Sequence, residues 1–362
     1  MIYVIQIILL CVIAVICFGK KFEKISIKKN QILFLFIVFS VFILIMGLRD
    51  VSVGVDTNTY SKHYSNILNS SWKDIFLGNV ASNTMEIGWN VWMKLCTYVS
   101  PYYLFFQIIY AIVYCWFSAR FISKTSNVFV STVLFLGLGM FTGAFNIQRQ
   151  YLAVIWLGNS YLAYREKKIK ETVIYFLGAV LVHKLSICFI LVYVIYALKD
   201  KEKLVKALPI VGIIVALNYK LIIALATVFV PAYHNYYTNE KAAPQTASGV
   251  WIIWGIIICI SLYGIYSKKI RNQEYKIICI FSLAYVLCNI VGLQFNYFER
   301  IGLYFITLLL LMYIDFASYL KKIYSERISK IYYVGLVGCY IMYYLLSCFT
   351  GSALEYRFFG CI

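Results

Sequence analysis

The chain has 362 residues, 62% of them hydrophobic and 13% charged, with a mean hydropathy of +0.80 and a formal net charge of +18. Soluble domains run at about 45–50% apolar and about 25% charged residues, so a soluble enzyme, a disordered chain and a secreted disulfide scaffold are excluded. The 11 cysteines form no C-x-x-C pair and no metal-ligand spacing, and they read as small buried hydrophobes. In a soluble protein such a basic balance would point to nucleic acid; here the placement of the charge about the bilayer matters more than its sum.

Apolar runs fall at 2–19, 31–48, 102–119, 127–145, 149–164, 173–198, 207–230, 249–267, 277–293, 300–320 and 331–349. Most approach the ~20 residues a helix needs to cross the hydrocarbon. They predict an all-α, polytopic integral membrane protein of about 11–12 transmembrane segments, with a single membrane domain over residues 1–362. The first run has no basic residue before it and no A-x-A cleavage site, so it reads as a retained helix.

Basic clusters at Lys20–Lys29, Arg120–Lys124, Arg165–Lys170, Lys199–Lys206, Lys268–Lys276 and Lys321–Lys330 hold most of the 33 Lys and Arg residues. The positive-inside rule puts all six in the cytoplasm. That assignment needs two adjustments. Glu86–Val99 is too short to span before Pro101 and reads as an interfacial or re-entrant helix on the outer side. The run 173–198 carries basic clusters at both ends, so it must bend near His183-Lys184, where protein or a polar cavity has to surround the exposed backbone. Both termini are then expected outside, with outer loops at about 49–101 and 231–248.

Charged residues near membrane depth are costly and mark function, and the candidates concentrate on the outer side. Gly47–Tyr60 combines Arg49, Asp50, Asp56 and Tyr60 at the end of a span; a polar cap is the plainer reading. Glu86-Ile87-Gly88-Trp89 opens an indole-rich segment, in which an interfacial aromatic belt explains the tryptophans but not Glu86. Asn146 and Arg149 begin one inward-running helix, and Glu299-Arg300 begin another. Helix N-termini and arginine forks both suit phosphate, while a single arginine there could simply snorkel. His183 and Lys184 interrupt an apolar run, and packing alone explains the lysine poorly. The Gly137-Leu138-Gly139 pair lies mid-span with no preceding strand, so it reads as helix packing and not as a dinucleotide site.

Five segments in order, G-L-R-D-V-S-V-G-V-D-T-N-T-Y (47–60), E-I-G-W (86–89), F-N-I-Q-R-Q-Y-L-A (145–153), L-V-H-K-L-S (181–186) and E-R-I-G-L-Y-F (299–305), resemble the EpsG/Wzy-type polysaccharide polymerases of bacterial O-antigen, capsule and exopolysaccharide synthesis. Lys184 departs from the small residue expected after the histidine, and the large outer loop of many such polymerases is missing. The resemblance implies a GT-C-like helical architecture in the bacterial cytoplasmic membrane and an active site on its outer face. It also implies transfer of a growing glycan from undecaprenyl diphosphate to another lipid-linked oligosaccharide repeat unit, with a chain-length regulator as a possible partner. No cofactor, metal or nucleic acid is implied.

In this reading Arg49, Arg149, Arg300, Asn146, Tyr60 and Lys184 bind substrate or diphosphate. Glu86, Asp56 and His183 are the candidates to take the acceptor proton. Glu86 is preferred because a helix against the outer leaflet can hold it rigidly; Asp50, His234, Glu299 and Glu355 are weaker. The competing readings are a flippase or other transporter, expected to carry charge through the membrane depth and on both faces, another lipid-dependent glycosyltransferase such as a ligase, and a membrane O-acyltransferase.

Overall fold

A bilayer offers no water to backbone groups, so an apolar segment that enters one pairs its N–H and C=O groups internally, as a helix. The computed structural model describes residues 2–19, 27–81, 85–221, 249–295, 297–350 and 356–359. Among them every regular element is helical, and an isolated β-bridge pairs Arg49 with Phe358. Lys20–Lys24 of the first basic cluster, residues 231–248 where an outer loop with His234 is expected, and Glu355 lie outside the described residues.

Most helices follow the apolar runs. In chain order the first are α1 (Ile2–Phe18), α2 (Ile27–Gly47), α3 (Thr57–Asn69), α4 (Trp72–Leu77), α5 (Ile87–Thr97), α6 (Tyr103–Ser123), α7 (Val128–Gly137), α8 (Met140–Asn146), α9 (Gln148–Arg165) and α10 (Ile169–Val182). Of these, α3, α4 and α5 fall within the stretch 49–101, read from the sequence as an outer loop holding one interfacial helix. A 3-10 segment (Lys184–Phe189) precedes α11 (Ile190–Ala197) and α12 (Glu202–Leu217). After these come α13 (Val250–Tyr266), α14 (Gln273–Gly292), α15 (Tyr297–Gly302), α16 (Ile306–Ile323) and α17 (Glu326–Thr350).

Local chemistry sets several of the boundaries. Asn127 and Asn272 cap α7 and α14 by accepting from backbone N–H groups of the first turn. Ser71 and Asp74 form a reciprocal capping box on α4, which Gly78 ends in the left-handed conformation.

Among the described residues five helices are long and apolar enough to cross a membrane, or six if the bent pair α7–α8 is one span, and three shorter apolar helices accompany them. The chain is therefore a multi-pass membrane protein. Its long helices are fewer than the apolar runs because several runs are broken or carry polar residues. In α9 the polar side chains Gln148, Gln150, Asn159 and Ser160 are all buried; that helix is buried in protein and need not be apolar. The Gly137–Gly139 pair does more than the packing expected of it. Gly137 lies against Tyr340, while Gly139 at φ +72° breaks the run into two helices bent by 42°.

The chain divides into two compact units, residues 1–187 with 334–362, and residues 188–333. In the first, α2 packs on α6, α9 lies against α6 and α10, and α3 rests on α5. Tyrosines spaced along α6 serve the broken α7–α8 segment. The Tyr114 hydroxyl donates to the Met140 carbonyl at 2.6 Å, and the Tyr110 hydroxyl reaches the Ala144 and Gln148 carbonyls at 3.1 and 3.2 Å. In the second unit α14 is central, in contact with α12, α13, α15 and α16.

Each unit has two distinct ends. At one end of the first, Arg120 pairs with Glu171, and Lys124 and Lys168 both pair with Glu166. At the other end the start of α1, the loop after α2, the α8–α9 turn, the end of α10 and residues 356–359 come together. There Tyr344 donates to Gln6, Tyr356 donates to the Ile45 carbonyl, and Phe359 N–H donates to the Leu48 carbonyl. In the second unit the three basic connections share one end: Lys276 and Lys206 pair with Glu202, and Lys269 lies over the Tyr324 ring.

Candidate functional site

Arg149 is the centre of the first unit's loop-bearing end. It sits in the first turn of α9, and its guanidinium forms an ion pair with Glu86, the residue that opens α5. The two side chains are 18% and 13% exposed, so the pair is largely screened from water and worth more than a surface pair. The second Glu86 oxygen accepts the backbone N–H of Lys184 at 3.2 Å. One carboxylate thus joins α9 to the break at which α10 ends.

A helix break falls at the position where the sequence places a bend. His183 leaves α10 in an extended conformation, and the 3-10 segment starts at Lys184. Its close approach to Glu86 depends on Gly88. A Cβ at that position would stand 2.6 Å from the Leu181 carbonyl oxygen, so any other residue would push α5 away from α10. His183 is half-buried, and the Lys184 side chain is exposed.

The Tyr60 hydroxyl is hydrogen-bonded to Arg149 from α3, and burial pushes its phenol up from the usual range. Its ring leans on Trp89 of α5, with centroids 5.7 Å apart. Asp56 precedes α3 by one residue, is half-buried and makes no side-chain cap bond to that helix. Asp50 is turned to its own loop, where the Ser52 N–H holds its carboxyl below the usual carboxylate range.

Arg49 occupies a different environment. It is 0% exposed. Its guanidinium donates to the Met46 carbonyl, to the Val53 carbonyl at 3.4 Å and to the Phe145 carbonyl at 3.5 Å, and it stands 5.0 Å from the centre of the Phe145 ring. These bonds satisfy carbonyls at the ends of α2 and α8, groups that a helix terminus leaves unpaired. The geometry makes Arg49 a fastener of the loop. Asn146 acts similarly, accepting the Val55 N–H at 2.8 Å. Arg300 is exposed at the start of the second unit's α15–α16 segment, with Glu299 beside it in the chain.

Of the residues singled out in the sequence, the first unit therefore brings together Arg149, Glu86, Tyr60 and the His183-Lys184 turn, with Asp56 one helical turn from Tyr60. Arg49 and Asn146 brace the same loop. Sequence reasoning missed Gly88 as a point of close approach and missed His63, which lies 2.8 Å from Asn90 across α3 and α5. The signal was present: Thr57, Tyr60, His63, Tyr64 and Ile67 recur at helical spacing, and all are buried.

Fold and site together define a multi-pass membrane protein with a charged, largely buried cluster at one end of a helical unit. The EpsG family pattern matches residues 32–359, and the chain belongs to that family. Membership supports a polysaccharide polymerase-type role in general terms. No curated protein and no solved structure matches the chain.

Proposed function

We propose that this protein is a membrane glycosyltransferase that joins lipid-linked oligosaccharide repeat units, carried on undecaprenyl diphosphate, into a surface polysaccharide. The observation that carries the reading is Arg149, held in a helix's first turn by Glu86 and Tyr60 beside the point where α10 ends at His183. In the reaction an acceptor sugar hydroxyl attacks the donor's anomeric carbon, the bond from that carbon to the diphosphate oxygen breaks, and the diphosphate leaves with the electron pair. Charge develops on the leaving group, and a preorganised guanidinium placed there stabilises it.

Glu86 has both oxygens engaged, one by Arg149 and one by the Lys184 N–H. In this proposal it holds Arg149 and the break in place and does not take the proton. Asp56, whose carboxylate makes no cap bond, takes the acceptor's proton; His183 and the Lys184 ammonium contact the phosphates. Arg300 opens the corresponding segment of the second unit and serves a lipid-linked substrate there.

The test uses purified protein with lipid-linked repeat unit. Arg149→Ala abolishes long chains while the protein stays folded and abundant, and Arg149→Lys rescues poorly because a lysine lacks the bidentate fork. Wild-type chain lengths from Arg149→Ala would refute the assignment. Turnover by Asp56→Asn at the wild-type rate would remove Asp56 as the proton acceptor, for which loss of a general base predicts about 10²–10⁴-fold.

A further inference from the structure

The two residues that hold Arg149 come from different helices, Tyr60 from α3 and Glu86 from the start of α5. One turn further along each helix a second contact joins the same pair of elements: His63 Nε2 lies 2.8 Å from Asn90 Oδ1. Tyr60 and His63 are three residues apart on α3, and the Asn90 N–H donates to the Glu86 carbonyl within the first turn of α5. Tyr60, His63, Asn90, Glu86 and Arg149 therefore close a ring through three helices.

The chemistry of the His63–Asn90 contact is determined by its surroundings. Asn90 Nδ2 donates to the Met85 carbonyl at 3.4 Å, which leaves the carbonyl end of the amide facing the ring. A carbonyl oxygen only accepts, so His63 Nε2 carries the hydrogen. The other nitrogen, Nδ1, is buried with no hydrogen-bond partner among the described residues, and the whole side chain is 2% exposed. A proton added at Nδ1 would find neither water nor an acceptor.

The groups around the ring also oppose a second charge. Arg149 of α9 repels it; α5 presents the neutral Asn90 amide, with Glu86 one turn before it, committed to Arg149, and Lys94 one turn after it, bonded to the Ser70 carbonyl at 2.7 Å. On α3 itself the titratable neighbours are Tyr60 and Tyr64, both buried phenols. Burial above all pulls the imidazole below its ordinary value; the Asn90 oxygen opposes that shift, and Arg149 adds to it.

We propose that His63 is a positioning residue of the Arg149 site: as a neutral ring donating Nε2–H to Asn90 it locks α3 to α5, and a second proton, placed on the buried Nδ1 with no acceptor among the described residues, opens the two helices that hold Arg149. The inference rests on the function proposed above for its kinetic consequence, although the link itself does not. Because the folded ring resists protonation, the stability it contributes is complete above about pH 6.5 and is lost as pH falls below that value toward the folded pKa.

Two measurements test it. The first needs no activity: nitrogen NMR of histidine-labelled protein in lipid nanodiscs, with the His63 signal identified by its loss in His63→Gln. The expected signal is a neutral ring protonated at Nε2 that stays neutral as pH falls below the ordinary value of about 6.5. A ring that titrates near 6.5, or that carries its hydrogen on Nδ1, overturns the proposal.

The second is the pH profile of polymerisation. His63→Phe keeps the volume and loses the donor, so the donor-substrate KM should rise at least tenfold at neutral pH. His63→Gln restores an N–H for Asn90 without a titrating ring, so it should recover most of that loss and move the acid limb of the profile to lower pH. An unchanged acid limb in His63→Gln, or equal KM values for His63→Phe and wild type, sinks the inference while leaving the polymerase reading intact. If wild-type protein makes no polymer, the polymerase reading fails, and the NMR experiment still decides the His63 link.

Discussion

The two ends of the first unit use charge in opposite ways. At the basic end Arg120–Glu171 and Lys124–Glu166–Lys168 pair on the surface, where Arg120 and Glu171 remain 41% and 39% exposed. Each group there has water as an alternative partner, and such pairs contribute about 0–1 kcal/mol. At the other end Arg49, Arg149, Glu86 and Tyr60 are mostly or wholly withdrawn from water, and each has a partner tens of residues away in sequence. Burying a charge without a partner costs several kcal/mol. A chain that assembles these groups from α2, α3, α5, α9 and the α10 break has committed folding energy to that end. The contrast shows that net charge and burial of charge are separate quantities: the pairs at the basic end are exposed, and the cluster around Arg149 is enclosed.

The strongest challenge to this contrast is a pair of arginine substitutions. Arg149→Ala should lower polymer synthesis by two or more orders of magnitude, while Arg120→Ala should leave it within about twofold, as expected for an exposed pair. Equal losses in the two, measured as surface-glycan chain length in deletion strains complemented with each variant, would erase the distinction between the ends.

Membrane sidedness is tested next. Single cysteines replacing Ser61 and Lys168 in a cysteine-free background should differ by about tenfold or more in labelling by an impermeant maleimide, with Ser61 the reactive one in cells whose outer barrier has been opened. Labelling of Lys168→Cys from outside would reverse the orientation, and equal labelling of both would mean that the two ends do not face different compartments.

A smaller effect probes the enclosed end from its backbone. Gly88→Ala sets a methyl against the Leu181 carbonyl, an overpacking that costs about 1–3 kcal/mol and moves Glu86 away from the Lys184 N–H. Activity should fall about tenfold, with a lower thermal unfolding midpoint. A variant with wild-type midpoint and activity would show that this contact is free to relax.

The smallest effect belongs to the basic end. Lys124 and Lys168 hold the Glu166 carboxyl down to about 2, so whatever stability it contributes is present above its unfolded value near 4.5 and is lost as pH falls toward 2. Glu166→Gln should change stability at pH 7 by less than about 1 kcal/mol and activity not at all. A larger loss, read from unfolding in detergent, would mean that the exposed pairs carry more of the fold than their setting suggests.

Much of this was legible in the chain. Apolar length located the helices, and the conflict of basic clusters around 173–198 located the break at His183. Glu86, Arg149 and Tyr60 stood out because their charge or hydroxyl lay next to an apolar run. The packing of Arg49 was not legible, for a physical reason. Its position at the end of α2 suggests an outward-facing cation, but the carbonyls that claim it belong partly to α8, a helix distant in the sequence. His63 was passed over because residues 49–101 were treated as a loop, which hid the buried stripe of α3. Gly88 shows no sign of its role until α10 is beside it. Contacts within one helix can be read from spacing; those between helices depend on where a third element ends.

The pairing of Arg49 with Phe358, and of Asp50 N–H with the Arg357 carbonyl, bears on how the protein is made. More than three hundred residues separate these partners, and the whole second unit lies between them in the sequence. A ribosome delivers α2 to the membrane long before residues 356–359 exist, so the end that carries Arg149 has to wait, incompletely closed, until nearly the whole chain has been inserted. Contacts of such sequence separation form late and slowly. Biosynthesis itself thus delays completion of this end until the other helices have entered the bilayer.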